Sequence, residues 1–64
     1  MDAREEVMVL ERCLRHLRRA RSELLDAGSL YWDDAISEAV RLVDEAINRC
    51  NFRLTLSKNL LKGG

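Results

Sequence analysis

The chain has 64 residues, with 11 lysines and arginines balanced by 11 aspartates and glutamates, so its net charge is zero. A single domain of this size buries only about 60% of the surface its unfolded chain exposes, which argues against an enclosed small-molecule active site. Charge neutrality likewise argues against a general binder of polyanions. No segment approaches the roughly 20 apolar residues of a membrane span. The N-terminal MDAREEV lacks the basic-then-apolar order of a signal peptide, so a cytoplasmic location with no membrane partner is expected.

In chain order, Asp2 and Glu5 have the spacing of a capping box, in which the aspartate accepts from exposed backbone N–H groups. A first helix is therefore predicted over about 3–27. Its apolar register is Val7, Leu10, Leu14, Leu17 and Leu24, interrupted once by Arg21. Arg21 is expected to lay its methylenes over the seam and keep its head wet, or to specify pairing register. Gly28 is expected to end the helix, because glycine accepts the left-handed conformation that often follows one. Leu30, Tyr31 and Trp32 fall in the turn, where the aromatics either cap the hairpin or anchor a partner.

Asp33 is the favoured cap of a second helix, predicted over about 33–51, since Asp33 and Asp34 then meet the positive end of the helix dipole. Its seam is Ile36, Val40, Val43, Ile47 and Cys50, again in steps of three and four. In residues 52–64, Phe52, Leu54 and Leu56 alternate with Arg53 and Thr55 as in a short strand, but a strand there has nothing to pair with. The segment is read as a continued helix or an ordered extension across the hairpin, with Gly63 and Gly64 as a loose terminus. The fold class is thus all-α, an antiparallel two-helix hairpin. Such a hairpin gains stability by pairing with a second copy into a four-helix bundle, which makes a homodimer one expected assembly. Cys13 and Cys50 stand at similar distances from the turn and are expected to approach each other as reduced packing residues.

Charge is unevenly distributed. The run RCLRHLRRAR, residues 12–21, holds five arginines and no acid, whereas residues 33–45 hold Asp33, Asp34, Glu38, Asp44 and Glu45 against Arg41 alone. Arg12, Arg15 and Arg19 would pair with the acids of the second helix, or grip an acidic protein surface through their guanidinium forks. Without interleaved aromatic side chains, nucleic acid is the least favoured partner. On the second helix Asp44 borders the seam, and Glu45 and Asn48 share a face. Acidic and amide residues in such places are most often a solvated flank. A carboxylate and a carboxamide on a rigid helix also suit the orientation of water for in-line attack on a phosphoryl group held by another protein. That role requires Asp44 to stand at the rim of the seam, free of any neighbouring guanidinium. Cys13, His16 and Cys50 lack the fourth ligand and second close pair of a metal site, and none is expected.

The segments LERCLRHL, residues 10–17, and V-R-L-V-D-E-A-I-N, residues 40–48, resemble the small aspartyl-phosphate phosphatases of the stage-zero sporulation protein E type. Members are helical hairpins with I-x-x-L-R-x-x-L on the first helix and S-Q-E-L-D-x-L-I-N on the second. Val43, Asp44, Ile47 and Asn48 match the second pattern. The family's Ser, Gln and Glu fall on Val40, Arg41 and Leu42, and a frequent aromatic falls on Cys50. The resemblance implies docking on the phosphorylated response regulator of a sporulation phosphorelay and removal of its aspartyl phosphate. Asp44 would act with Asn48 and Glu45; Arg41, Arg15, Arg19, Arg12, Trp32 and Tyr31 would bind the partner; magnesium would come from the regulator. The chain also resembles, in architecture alone, the dimeric helical hairpin that controls plasmid copy number by binding paired RNA loops. The competing expectation is therefore a non-enzymatic interaction module that self-associates and binds protein or RNA.

Overall fold

The computed structural model describes residues 1–63 as two helices, α1 over Ala3–Leu30 and α2 over Asp34–Gly63, packed side by side along a body 49 Å long and 16 Å wide. The predicted hairpin is the observed one. Val7, Leu10, Leu14, Leu17, Arg21 and Leu24 of α1 are all buried or half-buried, as are Ile36, Val40, Val43, Ile47 and Cys50 of α2. Leu14, 3% exposed, is the most covered apolar side chain and sits midway along the seam.

Capping follows the sequence closely at both N-termini. The Asp2 carboxylate accepts from the Glu5 backbone N–H at 2.9 Å, satisfying one of the donors a helix start leaves open. The Asp33 carboxylate does the same for Ala35 at 2.8 Å. Gly28 departs from expectation. It does not end α1: its φ is not positive, and the helix runs on to Leu30, closing with the Tyr31 N–H on the Ala27 carbonyl at 3.0 Å. Gly28 is buried because the Trp32 ring folds back over it; a Cβ there would lie 2.6 Å from that ring. The glycine thus makes room for an aromatic lid at the turn, and its conformational freedom is not used.

The second departure is the predicted end of α2 near residue 51. Of the two readings of the residues beyond it, the continued helix is the observed one, running unbroken through Gly63, with Gly64 outside the described residues. Length supplies the physical reason. At 1.5 Å per residue α1 is about 42 Å long, and a partner ending at residue 51 would reach back only about 28 Å, leaving the first turns of α1 bare. The seam simply continues after Cys50, with Leu54 and Ser57 both buried. Thr55, a β-branched residue in mid-helix, donates its hydroxyl to the Asn51 carbonyl at 3.0 Å, as such residues often do.

Candidate protein-docking site

The two helices meet along two edges of different character. On the first, near the open end, Arg53 of α2 pairs with Glu6 of α1, and the buried Ser57 hydroxyl donates to the same Glu6 carboxylate at 2.8 Å. These hydrogen bonds, foremost the one from Arg53, hold the Glu6 carboxyl below its ordinary pKa. In return Glu6 raises the pKa of Arg53. Farther along this edge the Cys13 and Cys50 sulfurs are 3.9 Å apart, both as free thiols, as the expected approach of the two required. Burial, then the Cys13 sulfur, push the Cys50 thiol upward in pKa.

On the second edge the Arg21 Nε donates to Asp44 Oδ1 at 2.6 Å. Arg21 therefore reaches across the seam, marking the register of one helix against the other. The expectation of an Asp44 free of any guanidinium is overturned. The physical cause is the antiparallel register, which sets the only charged residue of the α1 seam opposite the acid beside the α2 seam. Asp44 does lie at the rim as expected, with its side chain 44% exposed and that of Arg21 42%. At that exposure the pair contributes at most about 1 kcal/mol.

The other predicted site residues separate by helix. On α2, Glu45 accepts from Arg49 at 2.9 Å and lies 3.8 Å from Arg41, while Arg41 also forks onto Glu38. The hydrogen bond from Arg41 holds the Glu38 carboxyl down and raises the guanidinium in turn. All three arginines of α2, Arg41, Arg49 and Arg53, are thus engaged. On α1 the picture reverses: among the described residues Arg12, Arg15, Arg18 and Arg19 form no ion pair. The expected pairing of Arg12, Arg15 and Arg19 with the acids of α2 is therefore not made: Glu38 and Glu45 take arginines three or four residues away on their own helix, and Asp44 takes Arg21.

Asn48 is exposed, one turn beyond Asp44. Tyr31 and Trp32 are 74% and 56% exposed, so Trp32 both covers Gly28 and presents surface to solvent. Sequence reasoning missed Arg18, Asn51 and Lys58, which line one groove between the helices with Arg15. It also missed the stripe Phe52, Leu56 and Leu60 on the outer face of α2. The signal for the stripe was present, since the three recur every four residues. Among the described residues no group of three or more His, Cys, Asp or Glu side chains is placed to hold a metal ion, and no helix is long and apolar enough to cross a membrane. No family model, no curated protein and no solved structure matches the chain.

Proposed function

We propose that this chain is a protein-docking hairpin that binds an acidic partner through the arginines of α1, the resemblance of residues 40–48 making a phosphorylated response regulator the partner of choice. One observation carries the reading: among the described residues Arg12, Arg15, Arg18 and Arg19 have no counter-ion, on a helix of a molecule that is neutral overall. Unpaired guanidinium groups steer and orient an acidic surface. Asp44 bordering the same seam would then approach the phosphoryl group with Oδ1 already engaged by Arg21. That engagement favours docking over hydrolysis.

The test is to incubate the chain with a sporulation response regulator carrying acyl phosphate, measuring binding and phosphate loss together. Tight binding with decay at the regulator's own rate is the expected result. Absence of binding would sink the docking reading. Accelerated decay that disappears in Asp44→Ala would instead make the chain a phosphatase, with Asp44, Asn48 and Glu45 around the attacking water.

A second reading, self-association into a bundle, is favoured by the stripe of Phe52, Leu56 and Leu60, of which Phe52 is 68% exposed. Apolar side chains at i, i+4 and i+8 give a helix a second sticky face. Sedimentation equilibrium decides it: a dimer that Leu56→Glu converts to monomer supports the reading, and a monomer at all concentrations removes it.

A further inference from the structure

The groove on the Asp44 side of the seam is a surface built by both helices. Arg15 and Arg18 reach it from α1, and Asn51 and Lys58 from α2. They meet because residues 11, 15 and 18 share one face of α1, residues 51, 54 and 58 share one face of α2, and the helices run antiparallel. The groove encloses about 320 Å³ and is lined at its centre by the covered Leu14 and Leu54. Its charge is three cations against the single carboxylate of Glu11. Glu11 stands four residues before Arg15, yet among the described residues none of the three cations forms an ion pair.

We propose that this groove seats an acidic peptide segment of the partner protein, its carboxylates on Arg15, Arg18 and Lys58 and an apolar side chain between them against Leu14 and Leu54. The proposal rests on the docking reading for the partner's identity and adds where, and by what chemistry, that partner is held. Three features select an acidic peptide over nucleic acid. The chain as a whole is neutral, so it lacks the broad positive field that gathers polyanions. No aromatic side chain lines the groove to stack on a base. Glu11 on its wall repels a uniformly charged backbone but tolerates carboxylates spaced by an apolar residue.

Arg15, Arg18 and Lys58 are exposed in the free chain, and a seated peptide would strip water from them, which strengthens charge-assisted hydrogen bonds to its carboxylates. Asn51, half-buried, supplies an amide that both donates and accepts, suited to the peptide backbone.

The experiment is a nuclear magnetic resonance titration of the full ¹⁵N-labelled chain with a short glutamate-rich peptide carrying one central leucine. Parallel arms use its leucine-to-serine counterpart and a single-stranded oligonucleotide. Signals of Arg15, Arg18, Asn51 and Lys58 are expected to move, with affinity falling as salt rises and falling further for the serine peptide. Arg18→Glu with Lys58→Glu should weaken peptide binding at least tenfold, and the neutral Arg18→Gln with Lys58→Gln pair should weaken it less. Arg49→Ala, on the outer face and paired with Glu45, should leave binding unchanged. Shifts confined to other faces, an unaltered affinity in the folded double variants, or tighter binding of the oligonucleotide would each overturn the groove. A regulator that binds while the groove stays silent overturns this inference alone. A groove that takes the peptide while the regulator fails to bind overturns the choice of partner alone.

Discussion

The two edges of the seam divide labour. One is closed by contacts that cross between helices, Glu6 with Arg53 and Ser57, then Cys13 against Cys50. The other is crossed by Arg21 and Asp44 and then opens into a groove whose cations have no ion-pair partner among the described residues. Stability concentrates on the first edge and unspent charge on the second. The contrast teaches why a neutral protein can still carry a charged binding face: Arg41 and Arg49 are paired within α2 and Arg53 with Glu6 across the seam, whereas Arg15, Arg18 and Lys58 form no ion pair among the described residues.

The largest expected effect lies on the closed edge. Oxidised glutathione should convert the Cys13 and Cys50 thiols to an intramolecular disulfide, with two electrons and two protons passing to the glutathione disulfide as it becomes two thiols. The sulfurs need to close from 3.9 Å to the bonded distance of about 2.05 Å. Cross-linking this span would stabilise the fold by about 4 kcal/mol in the chain-entropy view. Thermal melts of oxidised and reduced protein, with mass spectra to count the bond, measure it. Failure to oxidise without unfolding would show that the edge is not as tightly set as described.

Ser57→Ala is expected to cost about 1 kcal/mol, since it removes a buried donor to a carboxylate but leaves Arg53 in place. Urea denaturation reads this directly. The same contact gives the fold an acid limit. Because the folded-state pKa of Glu6 is lowered, its contribution is fully present above the unfolded glutamate value and is lost as pH falls through the lower folded value. Stability should therefore decline below the ordinary glutamate range, about pH 4.3, and Glu6→Gln should flatten that decline. An acid limb of the same steepness in Glu6→Gln would assign it to other carboxylates.

At the turn, Gly28→Ala sets two terms against each other. Alanine gains about 1 kcal/mol of helix propensity, but its Cβ forces the Trp32 ring aside. The net change in stability should stay within about 1 kcal/mol, while tryptophan emission moves to the red as the ring is released to water. Unchanged emission would contradict the packing of Trp32 on Gly28. Smallest of all should be Arg18→Ala and Lys58→Ala on the open edge, each within about 0.5 kcal/mol of the parent. A larger loss would mean that this edge also serves stability.

The hairpin was legible because its signal is periodic and local. Steps of three and four from Val7 to Leu24 and from Ile36 to Cys50 place both seams, and Asp2 and Asp33 mark both starts. Alternation of Phe52, Leu54 and Leu56 with polar residues left the continuation of α2 as one of two readings. Carrying the step from Cys50 to Leu54 and Ser57 selects it over an extension folded across the hairpin. Gly28 misled because a helix-ending glycine and a glycine that admits an aromatic ring look alike in sequence. The candidate site was half legible. The arginine run could be read from α1 alone, but the Arg21 to Asp44 pair and the groove join residues far apart in the chain. They emerge only once the register is known, and the facing of Cys13 and Cys50 was the clue to it.

The central claim is that the open edge meets the partner and the closed edge does not. Chemical-shift mapping on the full ¹⁵N-labelled chain should decide it, using a response-regulator receiver domain with beryllium fluoride in place of the acyl phosphate. Perturbations running along Arg15, Arg18, Asn51 and Lys58 and fading toward Cys13 and Ser57 are the predicted result. Perturbations centred on Glu6, Arg53 and Ser57, or confined to Phe52, Leu56 and Leu60, would contradict it.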